Sequence, residues 1–385
     1  MSDDSEDFAN AQELQLLQDS VATLLDRAGV DDRARNARGS RDGVNRAIWT
    51  ELAEAGVLCV MTDEDAGGLG LGLQAGGIIA REFGRTLAPE PFGSVVGLAA
   101  GLLERLTSEH TLLGEIISGE KVPSLAWAER DTPNSEGGKP NTNPNNDEAL
   151  EYQTHYDAGK LNGTKAWVAR AGVADIHMVI ASNPIGTGLY LVDAVADGIT
   201  TKATKQSDGS FLYDITYVET PATLIAEGPE VTKALNASID DATALAASEL
   251  LGVAGEALKL TIEFLKTREQ FGKPIGTFQA LQHRAVDMHI AYEIADAGIK
   301  RSLAIMDATD WSKDPTTRGR EASRAKARAG DAAQKITRET IQMHGAVGYT
   351  DEFDIGLYLN RALTLSAWLG DATTHRKRWL ELRGA

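Results

Sequence analysis

Apolar residues recur at the spacing of an amphipathic helix through the first third of the chain. Leu14, Leu17 and Val21 lie three or four positions apart, so a helix would place them on one face. Clusters of glycine and aspartate, which favour loops, separate this run from later runs of the same kind. The pattern predicts an N-terminal helical domain over residues 1–122.

Short alternating or β-branched runs then replace the helical spacing. They read SLAWAE, TKAWVA, DIHMVIAS, GLYLVDA and LYDITYVE, and glycine, asparagine, aspartate and proline separate them. Such runs are typical of strands, and they predict a middle antiparallel β domain, a sandwich or barrel, over residues 123–230. Residues 130–150 are rich in proline, asparagine, glycine and charge, which predicts a mobile loop.

The helical period returns after residue 231 and continues almost to the end, which predicts a C-terminal four-helix bundle over residues 231–385. Blocks of helices, strands and helices indicate the α+β class, because a dinucleotide-binding sheet would alternate strands with helices. The individual helices are predicted near residues 233–267, 277–308, 317–345 and 353–368.

Composition narrows the possible partners. Acidic residues outnumber basic ones by 56 to 38, and a net charge of −18 repels a phosphate backbone, so we expect no nucleic-acid partner. No apolar run is long enough for a bilayer and the N-terminus lacks a signal-peptide pattern, so we expect no membrane partner and a cytoplasmic location. The single cysteine, Cys59, excludes an intramolecular disulfide and a CxxC metal site, and no metal is predicted.

The segment TREQFGKPIGTFQALQHRAVDM, residues 267–288, carries candidate chemistry between two predicted helices. Arg268 ends the first helix, and its guanidinium can pair with a phosphate in a bidentate manner. Phe271 lies in the following loop and offers a flat apolar face for a purine ring. Each residue alone has a plainer explanation, because an arginine at a helix C-terminus serves the helix dipole and a loop phenylalanine usually joins a core.

The combination resembles the acyl-CoA dehydrogenase family. The family signature R-x-x-F-G-x-x-I-x-x-F-Q matches Arg268, Phe271 and Gln279 among its fixed positions. A second signature, commonly Q-x-x-G-G-x-G-Y, is present as QMHGAVGY from Gln342 to Tyr349. The resemblance covers residues 46–378. The stretches LAWAERD and GDATTHR resemble the small-subunit type of bacterial pimeloyl-CoA and steroid-degrading dehydrogenases.

The resemblance implies a bound FAD that is shared between subunits. Matching residues would reach its pyrophosphate and adenine on a neighbouring subunit, so a homo-oligomer or a complex with a homologous subunit is implied. Ala128 and Trp167 match positions beside the flavin ring, although Ala128 lacks the hydroxyl that is frequent there. The expected FAD-binding residues outside the β domain are Arg268, Gln270, Phe271, Gln279, Gln342, Gly345 and Ala346.

The resemblance also implies a reaction. A carboxylate removes the α-proton of an acyl-CoA thioester, a hydride leaves the β-carbon for the flavin, and the electrons pass to electron-transferring flavoprotein. The two positions where the family carries its glutamate base are Gly370 and Ala242 in this chain. Asp371 is the candidate base, oriented by His375 one helical turn further on, or else it is the N-cap of a helix. Arg361 is expected to anchor its own helix through carboxylates such as Asp354.

Three functions therefore stay open. The chain is an FAD-dependent acyl-CoA dehydrogenase that uses Asp371, or a non-catalytic subunit that completes the FAD pocket of a homologous partner in an α2β2 heterotetramer. The third is a flavin-dependent oxidase or monooxygenase on the same scaffold. The acyl group, whether a steroid side chain, a dicarboxylic acid or a fatty acid of lipid metabolism, is not specified by the sequence.

Overall fold

The computed structural model describes residues 3–40, 43–107, 111–130, 152–350 and 353–384. The segment predicted as a mobile loop lies, apart from Arg130, outside the described residues. The first part of the chain is helical, as predicted. Its helices are α1 (Asp3–Arg27), α2 (Val30–Ala37), α3 (Arg46–Glu54), α4 (Gly72–Arg85), a π-helical segment (Gly93–Ala100), α5 (Gly101–Leu106) and α6 (Thr111–Ile117).

The middle part of the chain forms a sheet. Its strands are β1 (Pro123–Ala126), β2 (His155–Asp157), β3 (Lys160–Ala169), β4 (Ile176–Asn183), β5 (Gly186–Asp193), β6 (Ile199–Lys205), β7 (Phe211–Pro221) and β8 (Thr223–Glu227). They pair in the order β6-β7-β3-β2-β4-β5-β8, and β1 pairs beside β4.

Most strand pairs of this sheet are antiparallel, but β1 and β2 run parallel to β4. The pairing of β1 extends from Pro123 opposite Ile176 to Ala126 opposite Val179. The predicted antiparallel β domain is therefore mostly antiparallel, with two parallel pairs that the sequence did not indicate. Alternation along a strand carries no information about its direction, and the long connection after β1 allows a parallel pair.

The last part is a helical bundle built around one long central helix. The four predicted helices are confirmed, and a fifth short helix follows them. A two-residue-per-strand hairpin links the first two helices. These elements are α7 (Pro229–Thr267), β9 (Glu269–Gln270), β10 (Lys273–Pro274), α8 (Gln279–Asp307), α9 (Pro315–His344), α10 (Ile355–Ala367) and α11 (Ala372–Arg383).

Helices α4 and α7 pack at backbone distance and so join the N-terminal helices to the bundle. A Cβ atom on Gly84 would lie 2.0 Å from the carbonyl oxygen of Glu249, and one on Gly252 would lie 1.9 Å from that of Arg81. Only glycine permits this approach, because any side chain would overlap the facing backbone. The contact fixes the position of Glu249 against the N-terminal helices.

The fold confirms the α+β class with a helical unit, a sheet and a second helical unit in that order. The domain boundaries at residues 122 and 230 stay a prediction. Within the described ranges, no helix is both long and apolar enough to cross a bilayer.

Candidate functional site

The hairpin between α7 and α8 presents the first signature to solvent. Phe271 and Gly272 form its two-residue turn, and both have positive φ angles, 55° and 76°, as in a type I′ turn. The ring of Phe271 is 91% exposed, so it is not part of the core. A left-handed conformation costs a non-glycine residue roughly 1–2 kcal/mol. A strained, exposed aromatic residue of this kind indicates a binding role.

Arg268 stands at the start of the same hairpin. Its backbone N–H donates to the carbonyl of Phe264 and ends α7, while its own carbonyl accepts from the N–H of Ile275 at 2.8 Å. The side chain is exposed, and within the described part of the chain its guanidinium forms no hydrogen bond or ion pair. Gln270 and Gln279 are exposed beside it. The hairpin therefore offers a free guanidinium and an aromatic face on one surface.

The second signature lies next to the hairpin at the end of α9. His344 stacks on Phe264 with their ring centroids 4.2 Å apart, which joins the end of α9 to the end of α7. The Nδ1–H of His344 donates to the carbonyl of Thr340 at 2.8 Å, and burial lowers the pKa of the imidazole. The histidine is thus a neutral packing residue. The exposed residues around it are Gln342, Gly345, Ala346 and Tyr349.

The two signatures thus lie at adjoining helix ends. We call their exposed residues the hairpin surface: Arg268, Gln270, Phe271, Gln279, Gln342, Gly345, Ala346 and Tyr349. Its members fit the ADP half of FAD, because the guanidinium suits a pyrophosphate and the free aromatic face suits adenine. All of them are exposed on this chain, so a nucleotide can reach them from solvent.

The two residues predicted beside the flavin ring have different surroundings. Ala128 is buried in the core, at 3% exposure, and its carbonyl accepts from the N–H of Ala166 at 2.8 Å. Trp167 is half-buried with a φ of 53°, and the guanidinium of Arg130 lies over its ring at 4.7 Å. Arg130 is held there by both carboxylate oxygens of Asp214. A flavin contact of Ala128 and Trp167 stays a prediction.

The first position expected for a catalytic glutamate is part of a tight turn after α10. Leu369 and Gly370 have φ angles of 58° and 105°. The ammonium of Lys326 donates to the carbonyls of Trp368 and Gly370, at 2.5 and 2.8 Å. Burial lowers the pKa of Lys326 to about 7, with the charge of Asp371 acting in the opposite direction. The turn at Gly370 is therefore fixed by a buried lysine and carries no carboxylate of its own.

Asp371 caps α11. Its carboxylate accepts from the N–H of Thr374 at 2.7 Å, and the residue is exposed. The prediction that His375 orients this carboxylate is wrong, because the imidazole is fully buried and its two nitrogens contact Ser323 Oγ and the carbonyl of Leu369. Burial, and then the charges of Lys326 and Arg378, lower the pKa of His375 well below its ordinary value. The N-cap is thus the role that the structure shows, and catalysis by Asp371 stays a prediction.

The second expected position, Ala242, faces a helix. It is fully buried on α7, and a Cβ atom on Gly97 of the π-helical segment would lie 3.2 Å from its Cα atom. The two helices are in direct contact here, which leaves no room for an acyl chain. The neighbouring carboxylates are used in buried ion pairs, Asp240 with Arg378 and Asp241 with Arg105 and Arg318.

A cleft between the three parts of the chain holds a group of charged side chains. Arg361 of α10 contacts Glu249 of α7 through Nε at 2.9 Å and Asp208 of the β6–β7 turn through Nη1 at 2.8 Å. The predicted partner of Arg361 is wrong, because Asp354 pairs instead with Arg35. Burial alone would raise the pKa of Asp208, but Arg361 and Ser210 together lower it.

Two further arginines complete this group. Arg33 of α2 pairs with Glu90, whose side chain is fully buried before the π-helical segment. Arg170, which follows β3, lines both small cavities of the cleft, and burial and the charge of Arg361 lower its pKa. The sequence did not indicate this set, because its partners lie far apart along the chain. We call the six residues the cleft cluster: Arg33, Glu90, Arg170, Asp208, Glu249 and Arg361.

The fold and the hairpin surface define a flavin-dependent oxidoreductase. A model of the acyl-CoA dehydrogenase N-terminal domain matches residues 11–119, and one of the C-terminal domain matches residues 233–381. The chain belongs to the acyl-CoA dehydrogenase family, whose members are FAD-containing oxidoreductases of CH–CH bonds. The family and fold predictions are confirmed.

Individual relatives extend over nearly the whole chain. Acyl-CoA dehydrogenase IpdE2 of Mycolicibacterium smegmatis is 26% identical over 372 residues, 96% of this chain and 98% of that protein. Acyl-CoA dehydrogenase FadE27 of Mycobacterium tuberculosis is 26% identical and covers 97% of each chain. A solved structure of a variant of the Tcur3481-Tcur3483 steroid ACAD is 30% identical, covers 97% of this chain and 98% of that chain, and superposes with a TM-score of 0.82.

Proposed function

We propose that this chain is the FAD-pocket-completing subunit of a heteromeric acyl-CoA dehydrogenase, and that a homologous partner supplies the catalytic carboxylate. The observation that carries the proposal is the hairpin surface, where Phe271 is 91% exposed and Arg268 is exposed without a partner among the described residues. Such groups gain by contact with a nucleotide on another subunit, since base–aromatic stacking contributes about 1–3 kcal/mol.

The two positions expected for the catalytic base also support a partner that supplies the carboxylate. Gly370 has no side chain and its carbonyl accepts from Lys326, while Ala242 is buried against the π-helical segment. A base must come within hydrogen-bond reach of the proton that it removes, and neither position offers a carboxylate. The partner therefore has to carry the base under this proposal.

When bound, FAD would supply the hydride acceptor for the α,β-dehydrogenation of an acyl-CoA thioester. In this chain Arg268 would hold the pyrophosphate and Phe271 the adenine, and Gln342 would help to orient the cofactor. We infer that electron-transferring flavoprotein is the electron acceptor of the enzyme and that the enzyme acts in the cytoplasm. We also propose a steroid acyl-CoA as substrate, supported by the 30% identical structure that is named a steroid ACAD.

The proposal is tested by producing the chain alone and together with homologous acyl-CoA dehydrogenase chains encoded beside it. Bound FAD is recorded by its visible spectrum and mass by light scattering. We expect FAD only in a mixed oligomer, and its spectrum should bleach when a steroid acyl-CoA is added. A homo-oligomer that holds FAD in every chain and is bleached by an acyl-CoA would instead show a self-sufficient enzyme.

A further inference from the structure

The interdomain cleft of this chain differs from a cofactor site in its volume. It contains two cavities of about 50 Å³ each. Ligand pockets typically have about 300–1,000 Å³, whereas a water needs about 10–15 Å³ of such volume. Each cavity therefore has room for a few waters and not for a flavin ring.

The cleft lies next to a position that the family resemblance places beside the flavin ring. Ala169, two residues after Trp167 on β3, lines one cavity together with Arg170. Trp368, which is fixed by Lys326 beside the empty base position Gly370, lines it from the other side. The residues present do not fit an isoalloxazine ring here, because arginine and carboxylate side chains extend into the space.

Ion pairs hold the three carboxylates of the cleft cluster. Arg33 pairs with Glu90, and Arg361 pairs with Asp208 and Glu249, with side-chain exposures from 0% for Glu90 to 14% for Arg361. These buried pairs occupy the space between the three parts of the fold, and breaking one of them would leave a buried carboxylate without its cation.

The cluster also connects all three parts of the fold. Arg33 and Glu90 belong to the N-terminal helices, Arg170 and Asp208 to the β domain, and the pair of Glu249 and Arg361 to the bundle. We propose that the cleft cluster closes the flavin cleft of this chain and joins its three domains, taking over a connection that a bound cofactor would otherwise provide. This inference rests on the proposed function, because a chain that uses its own cleft for catalysis could not also fill it.

The test measures thermal unfolding and FAD content of the mixed complex with variants of this chain. Arg361→Met leaves Glu249 and Asp208 buried without their cation, and we expect Tm to fall by roughly 5–10 °C. The milder Glu249→Gln preserves shape and should lower Tm less, and the double variant should lose less than the sum of the two. FAD content should stay unchanged in all three.

Arg376→Met is the matched control, since Arg376 pairs with Asp331 on the surface, with side chains 53% and 58% exposed. We expect this control to change Tm by no more than about 1–2 °C. An unchanged Tm for both Arg361→Met and Glu249→Gln would overturn the inference. A loss of FAD without a fall in Tm would also overturn it, because the cluster would then belong to a cofactor site.

These readouts separate the inference from the proposed function. If the unmodified chain alone forms a homo-oligomer with FAD in every chain, the proposed function fails whatever the variants do. If FAD needs the partner but the Arg361 and Glu249 variants unfold like the control, only the cleft inference fails.

Discussion

The hairpin surface and the cleft cluster use similar side chains in opposite ways. In the hairpin, Arg268 and Phe271 are exposed and leave their binding capacity open. In the cleft, the Arg361 side chain is only 14% exposed and is paired with two carboxylates, Asp208 and Glu249. An arginine without a partner in its own chain can bind an anionic group of another molecule. An arginine that is paired with carboxylates of its own chain stabilises the fold instead.

On our proposal, this chain provides half of a cofactor site. The hairpin surface would hold the nucleotide end of FAD, and the cleft cluster would fill the space for the flavin ring. The chain would then contribute to catalysis beside a homologue whose cleft is open.

Removal of the hairpin guanidinium should have the largest effect. In the mixed complex we expect Arg268→Met to weaken FAD retention roughly 10- to 100-fold, because a hydrogen bond to a charged group contributes about 1.5–3 kcal/mol. FAD released on dilution is measured by its fluorescence. The control is Lys266→Met, which removes an exposed charge two residues earlier on α7. Equal FAD retention in the two variants would contradict a role of Arg268 in FAD binding.

Phe271→Ala should act at the same site with a smaller loss, roughly 10-fold in FAD affinity, because it removes one stacking surface. Stability of the chain should not fall, since the ring is exposed and its residue is strained by its positive φ angle. The check combines equilibrium dialysis of FAD with denaturant unfolding. A large loss of stability would indicate a packing role for Phe271 instead.

The buried Lys326 should make the stability of the folded chain depend on pH. Its pKa is lowered to about 7 in the folded chain, whereas an unfolded lysine titrates near 10.4. Between these values the unfolded state binds the extra proton, so the free energy of unfolding should rise with pH from about 7 to 10. We expect the wild type to gain about 1–3 kcal/mol over this window relative to Lys326→Met, measured by urea unfolding at each pH. Parallel pH profiles of the two proteins would show that Lys326 stays charged in the fold.

Substitutions of Asp371 should have the smallest effects, and they distinguish a helix N-cap from a catalytic base. Asparagine caps helices as well as aspartate does, so Asp371→Asn should leave stability unchanged, while Asp371→Ala should cost about 1 kcal/mol. Neither variant should change the turnover of the mixed complex, measured by acyl-CoA-dependent dye reduction. Loss of turnover in Asp371→Asn at unchanged stability would make Asp371 the base and remove the need for a catalytic partner.

Local patterns in the sequence predicted the helices and both signatures, because helical spacing and loop residues are read within a few positions. They did not predict the cleft cluster. Arg33 and Glu90 are 57 positions apart and Glu249 and Arg361 are 112 apart, so no local pattern links them. The wrong pairing of Arg361 with Asp354 has the same origin. Asp354 is near Arg361 in the sequence, but the partners of Arg361 in the fold, Glu249 and Asp208, come from distant segments.

The parallel pairing of β1 with β4 could not be predicted from the sequence, for a related reason. Strand direction follows from how the connections cross the sheet, and alternation within a strand does not contain it. The exposure of Phe271 could also not be read from the sequence, where a loop phenylalanine usually belongs to a core. Its positive φ angle and free ring became visible only in the folded hairpin.

The most direct test of the central claim is the number of FAD molecules in the purified mixed complex. Flavin absorbance after denaturation, divided by the amount of each chain from light scattering and amino-acid analysis, gives this number. The account predicts one FAD for each pair of one such chain and one homologous partner. Two FAD molecules for each pair would show that the cleft of this chain holds a flavin and would contradict the account.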